Sequence, residues 1–268
     1  AEKVADVRFG ETVARTAFDI SQGNGDHAGS TESGQWLLDN TDLSVPQRVN
    51  VLIPLAKSQI AIGRRIEGRK NAELAVRLAR TINDTESEAN ATMQWAARSD
   101  FTPDRAPVIT AFGNIDTTKL LPDTLIKLLS AYSQAVLMVP TEEHVSVTSG
   151  SELISSFGTD IAERSRSDST ESAAWNWNVN AALARQLATD ARDEAAMHAN
   201  LEGSYEARVQ ALLAWREAHR SPAYLSERLA TTQQAIELSR SQGDHNESVY
   251  FCHILDLMES GDFARADL

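Results

Sequence analysis

Amide and indole side chains are concentrated in one short stretch, Trp175-Asn-Trp-Asn-Val-Asn180. An Asn side chain carries both donors and an acceptor, the combination that satisfies the backbone of a bound peptide. In a helix, Asn176 and Asn180 share a face because they are four residues apart. The two indoles point in different directions, so one is expected in the core and the other, Trp177, beside a ligand. The alternative is that the amides bond to their own or a neighbouring helix.

Three further polar residues are candidates for the same groove. In helix-hairpin repeats the first helices line one concave surface, which predicts that Asn90 and Gln94 of an earlier helix and Arg208 of a later one face the ligand. A guanidinium among amides suits a carboxylate terminus. A single Arg is nevertheless more often a solvated surface residue. The predicted binding residues are therefore Asn176, Asn180, Trp177, Asn90, Gln94 and Arg208.

Residues that would support catalysis or metal binding form no recognisable motif. Asp190, Glu194, His198 and Glu202 recur every four residues and would align along a helix, but one helix seldom closes a metal site and an acidic stripe is usually solvated. The sequence lacks Gly-x-Ser-x-Gly, His-Glu-x-x-His and phosphate-binding Gly-x-x-x-x-Gly-Lys-Ser/Thr motifs. No catalytic residue, metal or cofactor is expected. A helical enzyme acting on a small metabolite is the alternative, because a site assembled from distant residues is invisible in sequence.

The charge balance and the single cysteine restrict the partners and the compartment. Asp and Glu number 38 against 25 Lys and Arg, a formal charge of −13, which opposes direct contact with nucleic acid. Cys252 lies between Phe251 and His253, in an apolar and aromatic stretch that predicts a buried, unpaired and inert thiol. No apolar run reaches the roughly 20 residues that cross a bilayer, and the first residues, Ala1-Glu-Lys-Val-Ala-Asp6, lack the apolar core of a signal peptide. We expect a cytoplasmic protein without membrane contact.

An internal repeat gives the clearest structural signal. The stretches Ala75–Asp84 and Ala235–Asp244 follow one design, and Ile161–Asp168 resembles both. Two units in each interval would give a period of about 40 residues. The pattern predicts an all-α, tetratricopeptide-like solenoid of helix hairpins, a right-handed superhelix, that forms one array over 1–268. Residues 99–165 depart from the pattern and are expected to be a divergent unit or an insertion.

Capping signals and apolar spacing locate the helices. Asp168-Ser-Thr-Glu171 and Asp244-His-Asn-Glu247 match the capping box that begins a helix, and Thr85-Glu-Ser-Glu88 matches it one residue late. Apolar residues at helical spacing are expected to face the core, in one helix Leu74, Leu78 and Ile82, and in another Leu225, Leu229, Thr232 and Ile236. Segments 21–43 and 99–120 are predicted to be loops with at most a short helical turn. Helices are predicted near 2–20, 46–62, 69–82, 86–98, 122–138, 150–166, 170–187, 190–200, 204–219, 224–241 and 246–259.

The stretch Arg220-Ser-Pro-Ala-Tyr-Leu-Ser-Glu-Arg-Leu229, followed by Ala235–Asp244 and Leu255–Asp262, resembles the tetratricopeptide-like region of large actinobacterial transcriptional regulators. In that family an ATPase module precedes the repeats and a LuxR-type DNA-binding domain can follow. The resemblance covers roughly 45–98 and 170–268. It implies that the chain is part of a longer protein and serves as its sensor or scaffold arm.

The predicted function is therefore a ligand- or protein-binding helical-repeat module. Its partner is expected to be a peptide, a protein or a small-molecule effector. Apart from the enzyme alternative, a third option is a structural arm that spaces neighbouring domains or mediates self-association.

Overall fold

The computed structural model describes residues 2–97, 105–137, 171–199, 205–244 and 246–261, with side chains throughout these ranges except at 2–9, 105–106 and 171–180. All regular structure in these ranges is helical, which confirms the all-α fold class. None of the described helices is long and apolar enough to cross a membrane. The α-helices are α1 (Glu2–Gly23), α2 (His27–Asn40), α3 (Val45–Ala61), α4 (Arg65–Thr81), α5 (Thr85–Ala96), α6 (Arg105–Gly113), α7 (Pro122–Leu137), α8 (Glu171–Met197), α9 (Tyr205–Ala218), α10 (Leu225–Ser241) and α11 (Glu247–Ser260).

The described helices form two compact units, which divide between Lys119 and Leu120. In the first unit, helices α1 to α6 pack in chain order, and α3 also contacts α5. In the second unit, α7 contacts both α8 and α9, and α9, α10 and α11 then pack in order. Helix α8 thus has the position between α7 and α9 that α4 has between α3 and α5. The single array over 1–268 stays a prediction.

The two copies of the sequence repeat form the same structure. Ala75–Asp84 and Ala235–Asp244 end helices of equal length, 17 residues each. The residue before the final Asp has a left-handed backbone in both copies, with φ of 54° at Asn83 and 69° at Gly243. The N–H of the final Asp then donates to the carbonyl five residues earlier, at 3.1 and 3.0 Å. This hydrogen bond satisfies a carbonyl at the helix end, so each hairpin turn is specified locally.

The predicted helix starts are partly corrected. Asp84 is the N-cap of α5 and accepts from the Ser87 N–H at 3.1 Å, so the cap precedes the predicted Thr85. Asp244 is not a cap, because α11 begins two residues later than the predicted box and Asn246 caps it. Asp244 instead accepts a hydrogen bond from the Tyr205 hydroxyl. The capping box at Asp168 lies outside the described residues.

The loop predicted over 21–43 is wrong, because this segment contains α2. Its glycines resemble loop residues in sequence, but Gly34 lies within the helix and is buried. A Cβ atom at Gly34 would lie 2.7 Å from Cε2 of Phe18. Glycine is therefore present because α1 and α2 approach closely, which is a packing requirement and not a turn signal.

The segment 99–120 is also more helical than predicted. It contains the nine-residue α6 and a 3₁₀ turn at Thr117–Lys119. Val108, Ile109 and Phe112 of α6 are all buried. The sequence there therefore lacks the regular alternation of polar and apolar residues by which an amphipathic helix is recognised. The break predicted between 187 and 190 does not occur, because α8 is continuous. The helix predicted over 150–166 lies outside the described residues.

The predicted core face of α10 is partly confirmed, because Thr232 and Ile236 are buried, but the most buried residues of α4 differ from the predicted ones. Ala75 and Val76 are fully buried in α4, whereas Leu74 and Leu78 are only half-buried. In α10 the half-buried Leu229 follows Arg228, which is buried. Within the second unit, one core cluster consists of Val209, Leu212, Ala235, Ile236 and Val249, and another of Ile126, Ala191, Ala195, Ala207 and Ala211.

Candidate ligand-binding site

The predicted Asn pair lies on the backbone of α8, which is helical as expected. The side chains of Asn176, Asn180 and Trp177 lie outside the described residues, so their contact with a ligand stays a prediction. Helix α8 packs against both α7 and α9. The assignment of these residues to a groove lined by first helices stays a prediction.

The other amide residues, Asn90 and Gln94, lie on α5 of the first unit. Asn90 Nδ2 donates to the backbone carbonyl of Glu86 at 3.0 Å, within its own helix. A bond of this kind, from an amide to its own helix, is the alternative to ligand binding for these Asn and Gln side chains. Gln94 is half-buried on the same helix.

Arg208 lines a groove of about 230 Å³ in the second unit. The groove, called here the Arg208 groove, lies where α8, α9 and α10 meet, and α9 contributes Arg208 itself. Its principal lining residues are Arg192, Asp193, Arg208, Leu212, Thr231 and Gln234. Of the predicted binding residues with described side chains, Arg208 is the one in this groove.

The Arg208 guanidinium is held in place by the end of the neighbouring helix. Its Nη1 donates to the carbonyl of Ala199, just beyond α8, at 3.0 Å. Carbonyls at a helix C-terminus lack partners within the helix and attract cations, so a guanidinium suits this position. A guanidinium has five N–H donors. The bond to Ala199 uses one of them, and among the described residues no other partner of this guanidinium is found, so donors remain for a ligand.

A second guanidinium, that of Arg192, reaches the groove from α8. Its Cζ lies 4.6 Å from the ring centroid of Trp215, a cation–π contact. Its Nε is 3.7 Å from Asp193 Oδ1, a distant and largely exposed ion pair of little energetic weight. The indole of Trp215 is itself buried and orients Arg192.

An imidazole stacks on the same indole. The ring of His219 lies 4.1 Å from that of Trp215 with 18° between their planes. Burial lowers the pKa of His219, and the positive charges of Arg185 and Arg192 lower it further, against the hydrogen bond to the Trp215 carbonyl. The lowered pKa favours the uncharged form of the imidazole near the positive charge of Arg192.

This geometry suits binding of an anion in preference to a cation. Two guanidiniums and one carboxylate line the groove, and Leu212, which is 5% exposed, supplies apolar surface. The Thr231 hydroxyl and the Gln234 amide add neutral hydrogen-bonding groups. Two Arg forks beside such groups match a carboxylate and the amide next to it.

The acidic stripe on α8 is engaged in contacts along its own helix. Asp190 accepts from Gln186 at 2.7 Å, and Glu194 lies 3.0 Å from His198. Burial raises the pKa of Asp190, against the hydrogen bond from Gln186. Glu202 lies outside the described residues. Across the part of the chain that is described, no three His, Cys, Asp or Glu side chains are grouped to hold a metal.

The Cys252 thiol is half-buried, which corrects the prediction of a buried thiol. It lies on α11, whose Phe251 is 62% exposed, so the apolar character of the stretch did not indicate burial. Burial raises the pKa of Cys252, with Arg216 lowering it and Glu217 raising it. A thiol held protonated is a poor nucleophile.

Sequence reasoning missed Arg192 because its partner is distant along the chain. Trp215 lies on the next helix, and no short-range pattern links the two residues. Comparison with known proteins adds no assignment: no protein-family model matches the chain, and no curated protein is significantly similar to it.

Proposed function

We propose that this chain is a ligand-binding module of tetratricopeptide-like helix hairpins, and that the Arg208 groove accepts the carboxylate of a peptide or a small acidic effector. The convergence of Arg192 and Arg208 on one partly apolar groove carries the proposal. Such a convergence is unlike the chain as a whole, whose formal charge is −13. The groove therefore offers a local positive site on an acidic protein, which concentrates anionic ligands there.

The hairpin architecture supports the same function. The repeated turn after α4 and α10, and the contacts of α3 with α5 and of α7 with α9, are typical of stacked helix hairpins. Such arrays use the surface between neighbouring units to bind extended ligands. In the family that the sequence resembles, the module would serve as the sensor arm of a cytoplasmic transcriptional regulator.

The test is a peptide-binding screen on the whole 268-residue chain. Each peptide is supplied with a free and with an amidated C-terminus, and binding is measured by calorimetry. Peptides with the free carboxylate should bind more tightly, and Arg208→Gln should weaken them by about 1.5–3 kcal/mol because a charge-assisted hydrogen bond is lost. Amidated peptides should respond little to the substitution.

The matched control is Arg240→Gln, which removes the same charge from an exposed position on α10 outside the groove. It should leave binding unchanged. Equal affinity for free and amidated peptides, or an equal loss in both variants, would show that Arg208 does not recognise the carboxylate.

The Asn pair needs its own variant. If Asn176 and Asn180 bond to the peptide backbone, replacing both with Ala should weaken binding by about 1–3 kcal/mol and change folding little. Ile236→Ala is the stability control, because this residue is 2% exposed. It should cost roughly 2–5 kcal/mol of unfolding free energy through cavity formation. Normal binding by the double Asn variant, or a loss of stability like that of the control, would assign the amides to structure.

A further inference from the structure

The first unit contains a larger groove that none of the predicted binding residues lines. It has a volume of about 400 Å³ and lies where α4, α5 and α6 meet. We call it the Trp95 groove; the residues used below are Val76, Arg77, Arg80, Trp95, Thr110 and Asn114. It is formed by α4, α5 and α6 as the Arg208 groove is formed by α8, α9 and α10.

One wall of the Trp95 groove carries two guanidiniums, those of Arg77 and Arg80, beside the carboxylate of Glu73. Arg77 on α4 has a 65% exposed side chain, and its Nη1 is 3.6 Å from Glu73 Oε1, too far for a hydrogen bond. Arg80, one turn further along α4, uses its Nε on Glu88 at 2.5 Å. That bond fixes the plane of the Arg80 guanidinium. Arg77 is therefore the cation that a ligand can engage without displacing a close partner among the described residues.

The opposite wall is neutral and the interior is apolar. Helix α6 contributes the hydroxyl of Thr110, and Asn114, the residue directly after this helix, contributes its amide. Between the walls lie the indole of Trp95 and the aliphatic side chain of Val76, which is 1% exposed. Ala111 of α6 is also buried and presents only a methyl group. A flat apolar body fits such an interior because an indole face packs against rings.

We propose that the Trp95 groove is a second binding site, for a small molecule that combines a flat two-ring apolar body with one carboxylate. The ring system packs on Trp95 between α4 and α6, and the carboxylate pairs with the Arg77 guanidinium, whose fork matches a carboxylate in two parallel hydrogen bonds. The volume lies at the lower end of the range for small-molecule sites. The site is independent of the Arg208 groove, because the two lie in different units.

The experiment uses 2-naphthoate as the probe and 2-naphthamide as its uncharged counterpart, each titrated into the full 268-residue chain. Binding is followed by calorimetry and by the indole N–H resonances of the tryptophans, with Trp95 assigned from a Trp95→Phe variant. Naphthoate should shift the Trp95 resonance and bind about tenfold or more tightly than naphthamide. Arg77→Gln should remove that preference and leave naphthamide binding nearly unchanged.

Two controls make the outcome specific. Lys70→Gln removes a positive charge from an exposed position of α4 outside the groove and should leave naphthoate binding unchanged. Arg208→Gln should also have no effect, so that failure of one site is distinguishable from failure of the other. The proposal is overturned if naphthoate does not bind, if it leaves the Trp95 resonance unshifted, or if Lys70→Gln weakens it as much as Arg77→Gln. Circular dichroism of every variant verifies that the helices are retained.

Discussion

The carboxylate of Asp256 lies between two buried guanidiniums, and its removal tests what holds α9, α10 and α11 together. Asp256 is fully buried, and its Oδ1 accepts from Arg216 Nη2 at 2.8 Å and lies 3.4 Å from Arg228 Nη1. Arg216 and Arg228 are 6% and 2% exposed. Burial opposes the charge of Arg216, but Asp256 outweighs it and raises the pKa of that guanidinium. One carboxylate thus compensates two cations from two helices.

The magnitude follows from what each substitution leaves behind. Asp256→Ala removes the fully buried partner of both guanidiniums and leaves them only the partly exposed carboxylates of Glu217 and Glu259. Breaking a buried pair in this way costs about 3–5 kcal/mol. Arg228→Met should cost less than half as much, because Asp256 keeps the two-pronged bond from Arg216. Arg228 Nε has no hydrogen-bond partner among the described residues, and its Nη2 lies 2.7 Å from Glu259 without hydrogen-bond alignment. A methionine removes these unsatisfied donors and fills much of the same volume.

The assay is urea unfolding followed by circular dichroism, with hydrogen exchange of amides in α9 to α11 to locate the effect. The exposed carboxylate of Glu237 on α10 provides the control, and Glu237→Ala should change the unfolding free energy by less than about 0.5 kcal/mol. The reasoning fails if Asp256→Ala costs under about 1 kcal/mol, since so small a value does not fit the loss of a buried carboxylate between two buried cations. It also fails if Arg228→Met is as costly as Asp256→Ala.

Three further predictions follow from the packing and titration of single residues. Gly34→Ala should lower the unfolding free energy, because the added Cβ would lie 2.7 Å from a ring atom of Phe18. Gly23→Ala, where a Cβ would meet nothing within 4 Å, should leave the unfolding free energy unchanged or raise it by up to about 1 kcal/mol. Thermal melts of the two variants test the difference. The pKa of His219 is lowered in the fold, so its contribution to stability is complete above pH about 6.5 and decreases below it. His219→Phe should therefore reduce the change in the urea unfolding midpoint between pH 8 and pH 5.5. A pH dependence of the midpoint equal to that of the unsubstituted chain would contradict the assignment. Cys252 should react slowly with a thiol reagent at neutral pH and faster as pH rises, because its pKa is raised; rapid labelling at neutral pH would show otherwise.

Helix class and hairpin turns were determined by the sequence alone. Each helix end is formed by six consecutive residues, Ala79 to Asp84 for α4 and Ser239 to Asp244 for α10. A left-handed Asn83 or Gly243 and the hydrogen bond across it involve only neighbouring residues, so the signal is complete in a short window. The all-α class was predictable for the same reason, since helical periodicity is a local property.

Only the tertiary structure decided which residues are buried and which line a groove. Position 34 in α2 requires glycine because Phe18 of α1 packs against it. Arg228 can be buried because Asp256, on another helix, compensates its charge. Arg192 is positioned by Trp215 of the next helix, and Arg208 by the carbonyl of Ala199. These contacts depend on how each helix is rotated against its neighbours. A rotation of one residue exchanges a half-buried Leu229 for a buried Arg228, and local periodicity does not resolve that difference.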